Sequence, residues 1–298
     1  MHFRVISLGL VGAIVSGVAS AADADRVLFA EPVFYSPDQP QSDQVELHDG
    51  LSGFAEARFG YGKISALGAS VDGSEWALRG SLNTSLERGA NIQFDIGYGG
   101  TDVGDGHARA LTGAVHGYLR DPEAYAIGLF GGVNRYEGSP FNALSRLGGD
   151  RYAMDLTAGA EAAVFLDDVT IHGRVGLGQV SYSGVRADRI SVGVGGRFYA
   201  TDNLRFDLAA GLERVSYGSA DLDVYSLGAT GNYRFSETPV TAFGGYRYDA
   251  VHASLGGASG EIARAHNVIL GARYQFGSQS LKDEERHGVL WSASNELF

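Results

Sequence analysis

The residues from Ile190 to Leu212 admit one regular backbone conformation. Ile190, Val192, Val194, Gly196 and Phe198 alternate with Ser191, Gly193, Gly195 and Arg197. After Tyr199-Ala200-Thr201-Asp202-Asn203 the alternation resumes, with Leu204, Phe206, Leu208, Ala210 and Leu212 against Arg205, Asp207, Ala209, Gly211 and Glu213. A period of two puts successive side chains on opposite faces of a strand and fits no helix. The stretch therefore reads as two strands joined by a tight turn, each with one apolar face and one small, polar or charged face. Strands in globular sandwiches have a mode of about 5–6 residues. Strands of about 10 residues, apolar on one side and charged on the other, suit a sheet with lipid outside and a polar lumen inside.

The pattern recurs from Leu51 to Phe276. Ile92, Phe94, Ile96 and Tyr98 alternate with Asn91, Gln93, Asp95 and Gly97, and Tyr225, Leu227, Ala229 and Tyr233 with Ser226, Thr230, Asn232 and Arg234. Comparable runs centre on Ala57, Leu78, Val115, Leu129, Ala160, Val175, Ala242 and Leu270. Between them, short turns (Glu87–Ala90, Arg120–Glu123, Asp167-Asp168, Ala200–Asp202, Ser236–Pro239) alternate with connections rich in Gly, Ser and Asp (Gly62–Gly73, Gly99–Gly106, Arg135–Asp150, Ser183–Asp188, Ser216–Ala220, Ala250–Ala265). Alternating tight turns and longer loops is the habit of a membrane barrel. The expected fold is all-β: a single closed antiparallel transmembrane β-barrel of about 12 strands. Aromatic residues fall in two bands near the strand ends, as amphipathic rings do at the two membrane interfaces.

Composition narrows the partners. Of 298 residues, 44 are Gly and none is Cys, so disulfides, thiolate metal sites and a cysteine nucleophile are excluded. Charged residues make up only 19%, and the net charge of -12 comes with just two lysines, Lys63 and Lys282, which argues against nucleic acid. Arg4, the apolar run Val5–Val18 and Ala19-Ser20-Ala21 compose a secretory signal peptide, residues 1–21. The run is shorter than the ~20 residues of a spanning helix. Residues 22–50 read as a periplasmic arm, 51–276 as the barrel, and 277–298 as a periplasmic tail, with insertion into the lumen as the alternative. An even strand number puts both termini on the periplasmic side.

The run Ile269-Leu270-Gly271-Ala272-Arg273-Tyr274-Gln275-Phe276 resembles the terminal assembly signal of Gram-negative outer-membrane barrels, with Gly271, Tyr274 and Phe276 in the signal positions. The turn Ala200-Thr201-Asp202-Asn203-Leu204 is similar to the periplasmic turns of porin-like barrels. The resemblance covers Leu51–Phe276 and implies outer-membrane lipid, lipopolysaccharide and the barrel-assembly machinery as partners. Proteins of this kind usually end at the aromatic; this chain continues to Phe298.

Chemistry is sparse. None of the eight His lies in a nucleophile motif, and loop carboxylates such as Asp102, Asp105, Asp188, Asp221 and Asp223 are too loosely spaced for a metal. No enzyme, cofactor or metal is expected. The inward charges carry the sharper expectation. Glu56, Glu75, Asp95, Asp155 and Glu161 would form an acidic wall, and Arg174, Arg197, Arg205, Arg234, Arg247 and Arg273 a basic wall facing it across the lumen. Loop Arg135–Asp150, with Phe141, Leu144 and Leu147, is the candidate constriction. The functional expectation is a monomeric porin-like channel for passive diffusion of small hydrophilic solutes. A non-conducting structural or adhesive barrel is the second reading and a surface hydrolase the third.

Overall fold

The computed structural model describes residues 50–66, 68–139, 141 and 149–291. The signal segment, nearly all of the arm, Leu144, Leu147 and Phe298 lie outside the described residues. Twelve strands follow one another: β1 (Leu51–Ala66), β2 (Ala69–Ser85), β3 (Ala90–Val103), β4 (Gly106–Asp121), β5 (Tyr125–Gly138), β6 (Tyr152–Leu166), β7 (Val169–Tyr182), β8 (Val185–Thr201), β9 (Leu204–Tyr217), β10 (Ala220–Arg234), β11 (Val240–Leu255) and β12 (Ala258–Phe276). Each pairs antiparallel with its sequence neighbours, and β12 closes on β1 with Gly53 opposite Phe276 and Ala66 opposite Ala263. Closure satisfies every strand edge, which a sheet in lipid requires.

The alternation read from the sequence decides which face meets lipid. Ile96, Leu129, Leu208 and Leu270 are 64–68% exposed, whereas Asn83, Gln93, Thr170 and Thr241 are fully buried. Apolar side chains outside and polar ones inside invert a soluble core, and only an apolar solvent stabilises that arrangement. Tyr274 of the terminal motif faces outward, while Gly271 faces inward beneath the Phe243 ring.

One expectation is corrected. The strands have 14 to 19 residues. At about 3.3 Å per residue they run roughly 46–63 Å, well beyond an apolar belt of about 25 Å. Most of the expected long loops are strand. Asp72 pairs with Lys63, Arg186 with Ser181, Ser259 with Ser254, and Arg135 with Leu111, so the ladder runs into all of these segments, in Arg135–Asp150 as far as Gly138. The apolar alternation stops where lipid stops; backbone pairing does not. The hairpins at this far end close with tight turns such as Ser183-Gly184 and Gly256-Gly257, both residues of each at positive φ. Beyond Phe276 a short helix, α1 (Leu281–His287), is capped by the Ser280 hydroxyl, which accepts the Asp283 N–H at 3.0 Å.

Candidate functional site: the lumen and its closures

Every residue expected on the two walls faces the interior, but the walls do not face each other as separate surfaces. Arg205 pairs with Asp207 on the same strand at 2.8 Å, and Arg247 with Asp249 at 2.9 Å. Arg273 donates two bonds to Glu56 at 2.9 and 2.6 Å, and Arg79 reaches the other Glu56 oxygen at 3.4 Å. Arg189, absent from the expected walls, joins Asp155 and Glu213. Two physical facts explain the difference. Residues two apart on a strand share a face, so acid and base can pair locally. Barrel closure also makes the first and last strands neighbours, which brings Glu56 of one half against Arg273 of the other.

On the opposite side the acids converge on a histidine. His116 is 1% exposed, with Nε2 3.0 Å from Asp95 and Nδ1 2.8 Å from Glu161. Both ring nitrogens thus lie at hydrogen-bond distance from a carboxylate oxygen. Ser81 donates to Asp95 at 2.5 Å. Arg174 lies over the Phe130 ring at 5.7 Å, and His172, two residues earlier on β7, is buried in the same wall; Glu75 is buried further along β2, opposite Thr101. Between these clusters lies a cavity of about 120 Å³, lined in part by Arg58, Arg79, Asp95, Asn134, Arg174 and Arg189.

The far end is closed by apolar side chains. Val180, Ala187, Val215, Leu222, Val224, Val251 and Ala263 pack together, each no more than 8% exposed. Phe141, buried beside Ala153, tilts against Tyr182 with ring centroids 5.5 Å apart. This aromatic was expected in a constriction, and it lies at the far end. The aliphatic cluster was missed, although its signal is legible. Inward positions turn from charged to apolar at Val215, Leu222, Val224 and Val251, while their outward neighbours become Arg214, Asp221 and Asp223. The pattern reverts there to that of a water-soluble collar with its own core. On the rim, Ser139 Oγ accepts the His107 backbone N–H at 3.1 Å and lies 3.0 Å from its Nδ1.

The other end, where β1 begins and β12 finishes, is closed by the tail. Of the two readings of the tail, periplasmic extension and insertion into the lumen, residues 281–291 take the second and re-enter the barrel. Leu281, Glu284, Glu285, Val289, Leu290 and Trp291 are each no more than 2% exposed. Glu285 accepts from Arg197 at 2.5 Å and from the Thr170 hydroxyl at 2.6 Å; Gln275 donates to Glu284. Arg120 donates to the carbonyls of Glu285 and Gly288 at 3.2 and 2.7 Å, and Arg197 to that of Leu290 at 3.0 Å. Gln93 accepts the N–H groups of Leu290 and Trp291, and the Trp291 ring meets Tyr118 edge-on at 5.7 Å. The tail's buried amides and carboxylates find inward-facing partners here that a solvated extension would not need.

Among the described residues no group of three or more His, Asp or Glu is placed to hold a metal, and no helix is long and apolar enough to cross a membrane. No protein-family model and no curated protein matches the sequence. Solved structures similar to this chain include the translocator domain of autotransporter NalP from Neisseria meningitidis, at 13% identity and a TM-score of 0.49 over 78% of this chain and 90% of that one. The β domain of the Bordetella autotransporter BrkA matches at 16% identity and 0.47 over 76% of this chain and 100% of that one. An anion-selective porin from Comamonas acidovorans matches at 11% identity and 0.37 over 76% and 98%. Strand pairing and burial, rather than these distant likenesses, carry the assignment. A closed twelve-stranded antiparallel barrel with an apolar exterior and a charged interior makes this chain a transmembrane β-barrel, the fold of the outer-membrane proteins it is similar to.

Proposed function

We propose that the protein is a self-closed outer-membrane barrel, non-conducting and non-catalytic in the state described, with both ends of the barrel segment toward the periplasm and the collar at the cell surface. One observation carries the reading: the tail occupies the mouth at the chain-terminus end with its carboxylates and backbone satisfied by lumen side chains. The apolar far end supports it. A structural or surface-presenting role follows from this closure, with the rigid collar as the presented part. In planar bilayers the full chain should pass no discrete current steps. Steady steps from the full chain at low voltage would overturn the reading.

A second reading, the porin-like passage of small hydrophilic solutes, is favoured by the partly open cavity between the two closures, lined by polar and apolar groups alike. It requires both to open. Deleting residues 277–298 together with replacing Leu222, Val224 and Val251 of the collar by Ser should then produce steps that neither change produces alone. Silence from the combined variant, with strand content retained, rejects passage.

A further inference from the structure

Three guanidinium groups at the chain-terminus end, Arg120, Arg197 and Arg234, bond to the tail. Arg234 grips Ser278 through its hydroxyl at 3.1 Å and its carbonyl at 2.7 Å. Arg120 takes two tail carbonyls and the side-chain oxygen of Asn91. Arg197 is 2% exposed, and among the described residues Glu285 is the carboxylate within ion-pair distance of it. The neighbouring Arg205 and Arg273 are held differently, by Asp207 and Glu56. With the tail withdrawn, Arg197 loses the carboxylate that pairs with it and keeps only its cross-strand neighbour Asp207, already paired with Arg205, and an under-compensated buried charge is unfavourable. The Glu285 carboxylate is held at both oxygens, one by Arg197 at 2.5 Å and one by Thr170 at 2.6 Å. A cation and a hydroxyl placed on two oxygens of one group suit an oxyanion better than a halide.

We infer that this mouth is a binding site for small oxyanions, carboxylate or phosphate in class, and that Glu285 fills it as a built-in competitor. The inference rests on the self-closed reading, since it is the tail that occupies the site. Ligand and tail then exclude each other, so oxyanion concentration sets how often the mouth is open at this end.

The chain carries two Trp. Trp76 lies on the lipid-facing register of β2, and Trp291 is 1% exposed in the closed mouth. Trp76→Phe therefore leaves Trp291 as the reporter in the full chain, folded in detergent micelles. Titration with sodium phosphate should shift Trp291 emission to the red, saturably, while sodium chloride at matched ionic strength should not. Glu285→Gln weakens the competitor and should lower the phosphate midpoint by roughly two to three orders of magnitude. Arg197→Gln should abolish the saturable response with strand content unchanged by circular dichroism. If that variant fails to assemble, the Glu285→Gln comparison and the chloride control carry the test. Equal responses to chloride and phosphate, or an unchanged midpoint in Glu285→Gln, would overturn the site. Conductance plays no part in this readout. A conducting full chain with a phosphate-specific shift rejects the closed barrel and keeps the site; a silent chain with no shift does the reverse.

Discussion

Two adjacent tail residues show how differently one environment treats two carboxyls. Burial pushes Glu284 above the usual carboxylate range, and Arg273, Arg205 and the Gln275 hydrogen bond do not offset it. Burial pushes Glu285 the same way, but Arg197 and Arg205, with the Thr170 and Arg197 hydrogen bonds, outweigh it and hold the carboxyl below that range. The signs follow by linkage. Glu285 contributes stability that is present above the ordinary carboxylate pKa and is lost as pH falls through its depressed folded value. Glu284 is better tolerated protonated, so its contribution declines as pH rises from the ordinary range through its raised value. At neutral pH, Glu285→Gln should loosen the tail by about 3–5 kcal/mol, seen as Trp291 exposure to a soluble quencher. Glu284→Gln should leave it equally or more tightly seated; the same loosening from both variants would contradict the assignment. Gly271 is the second residue-scale case. A Cβ there would lie 2.2 Å from the Phe243 ring and 2.7 Å from the Ala57 carbonyl oxygen. Gly271→Ala should cost about 1–3 kcal/mol in urea unfolding through displacement of that ring. The sequence marked Gly271 as part of an assembly signal, and the fold adds that this inward position has room for no side chain.

At the scale of elements, strand identity was legible because lipid and lumen impose a period of two on every crossing. Strand length was not. Above the belt the outward face meets water, so residues such as Arg214 and Asp223 interrupt the apolar signal while the ladder continues through Arg214 opposite Asp223. The far-end turns then become strict. Ser183 has φ 50° and Gly184 φ 78°, a combination that suits two-residue hairpins and penalises branched side chains. Ser183→Val should cost about 1–2 kcal/mol, and Ser183→Asn, which tolerates the left-handed region, should be close to neutral. Equal urea midpoints for the two variants would show that this turn does not set the hairpin.

At the scale of the whole molecule, the described residues form a polar lumen closed between an apolar collar and a tail that carries Glu284 and Glu285 into the mouth. Orientation follows from the proposal that the tail end is periplasmic, and the absence of Cys makes it simple to test. A cysteine at Ser219, in the β9–β10 turn of the collar, should react in intact cells with a membrane-impermeant maleimide. One at Asp202, in the β8–β9 turn at the tail end, should react only after the outer membrane is breached. The reverse pattern would invert the barrel and assign the tail mouth to the cell surface.

The sequence by itself determined the closed sheet, which face meets lipid and which residues point inward, because each follows from a side chain's parity on its strand. The hairpin at Ile190–Leu212 carried that information within one turn. Only the tertiary structure decided what the inward charges do. Arg205 and Arg247 pair on their own strands, Arg273 reaches Glu56 across the seam, and Arg197 takes a carboxylate from 88 positions further along the chain. Parity names a face, but ion pairing depends on distance across a closed surface, and closure brings together residues that sequence order keeps apart. The tail was ambiguous for the same reason: its apolar and acidic residues have no period of their own, and their partners exist only once the barrel has closed.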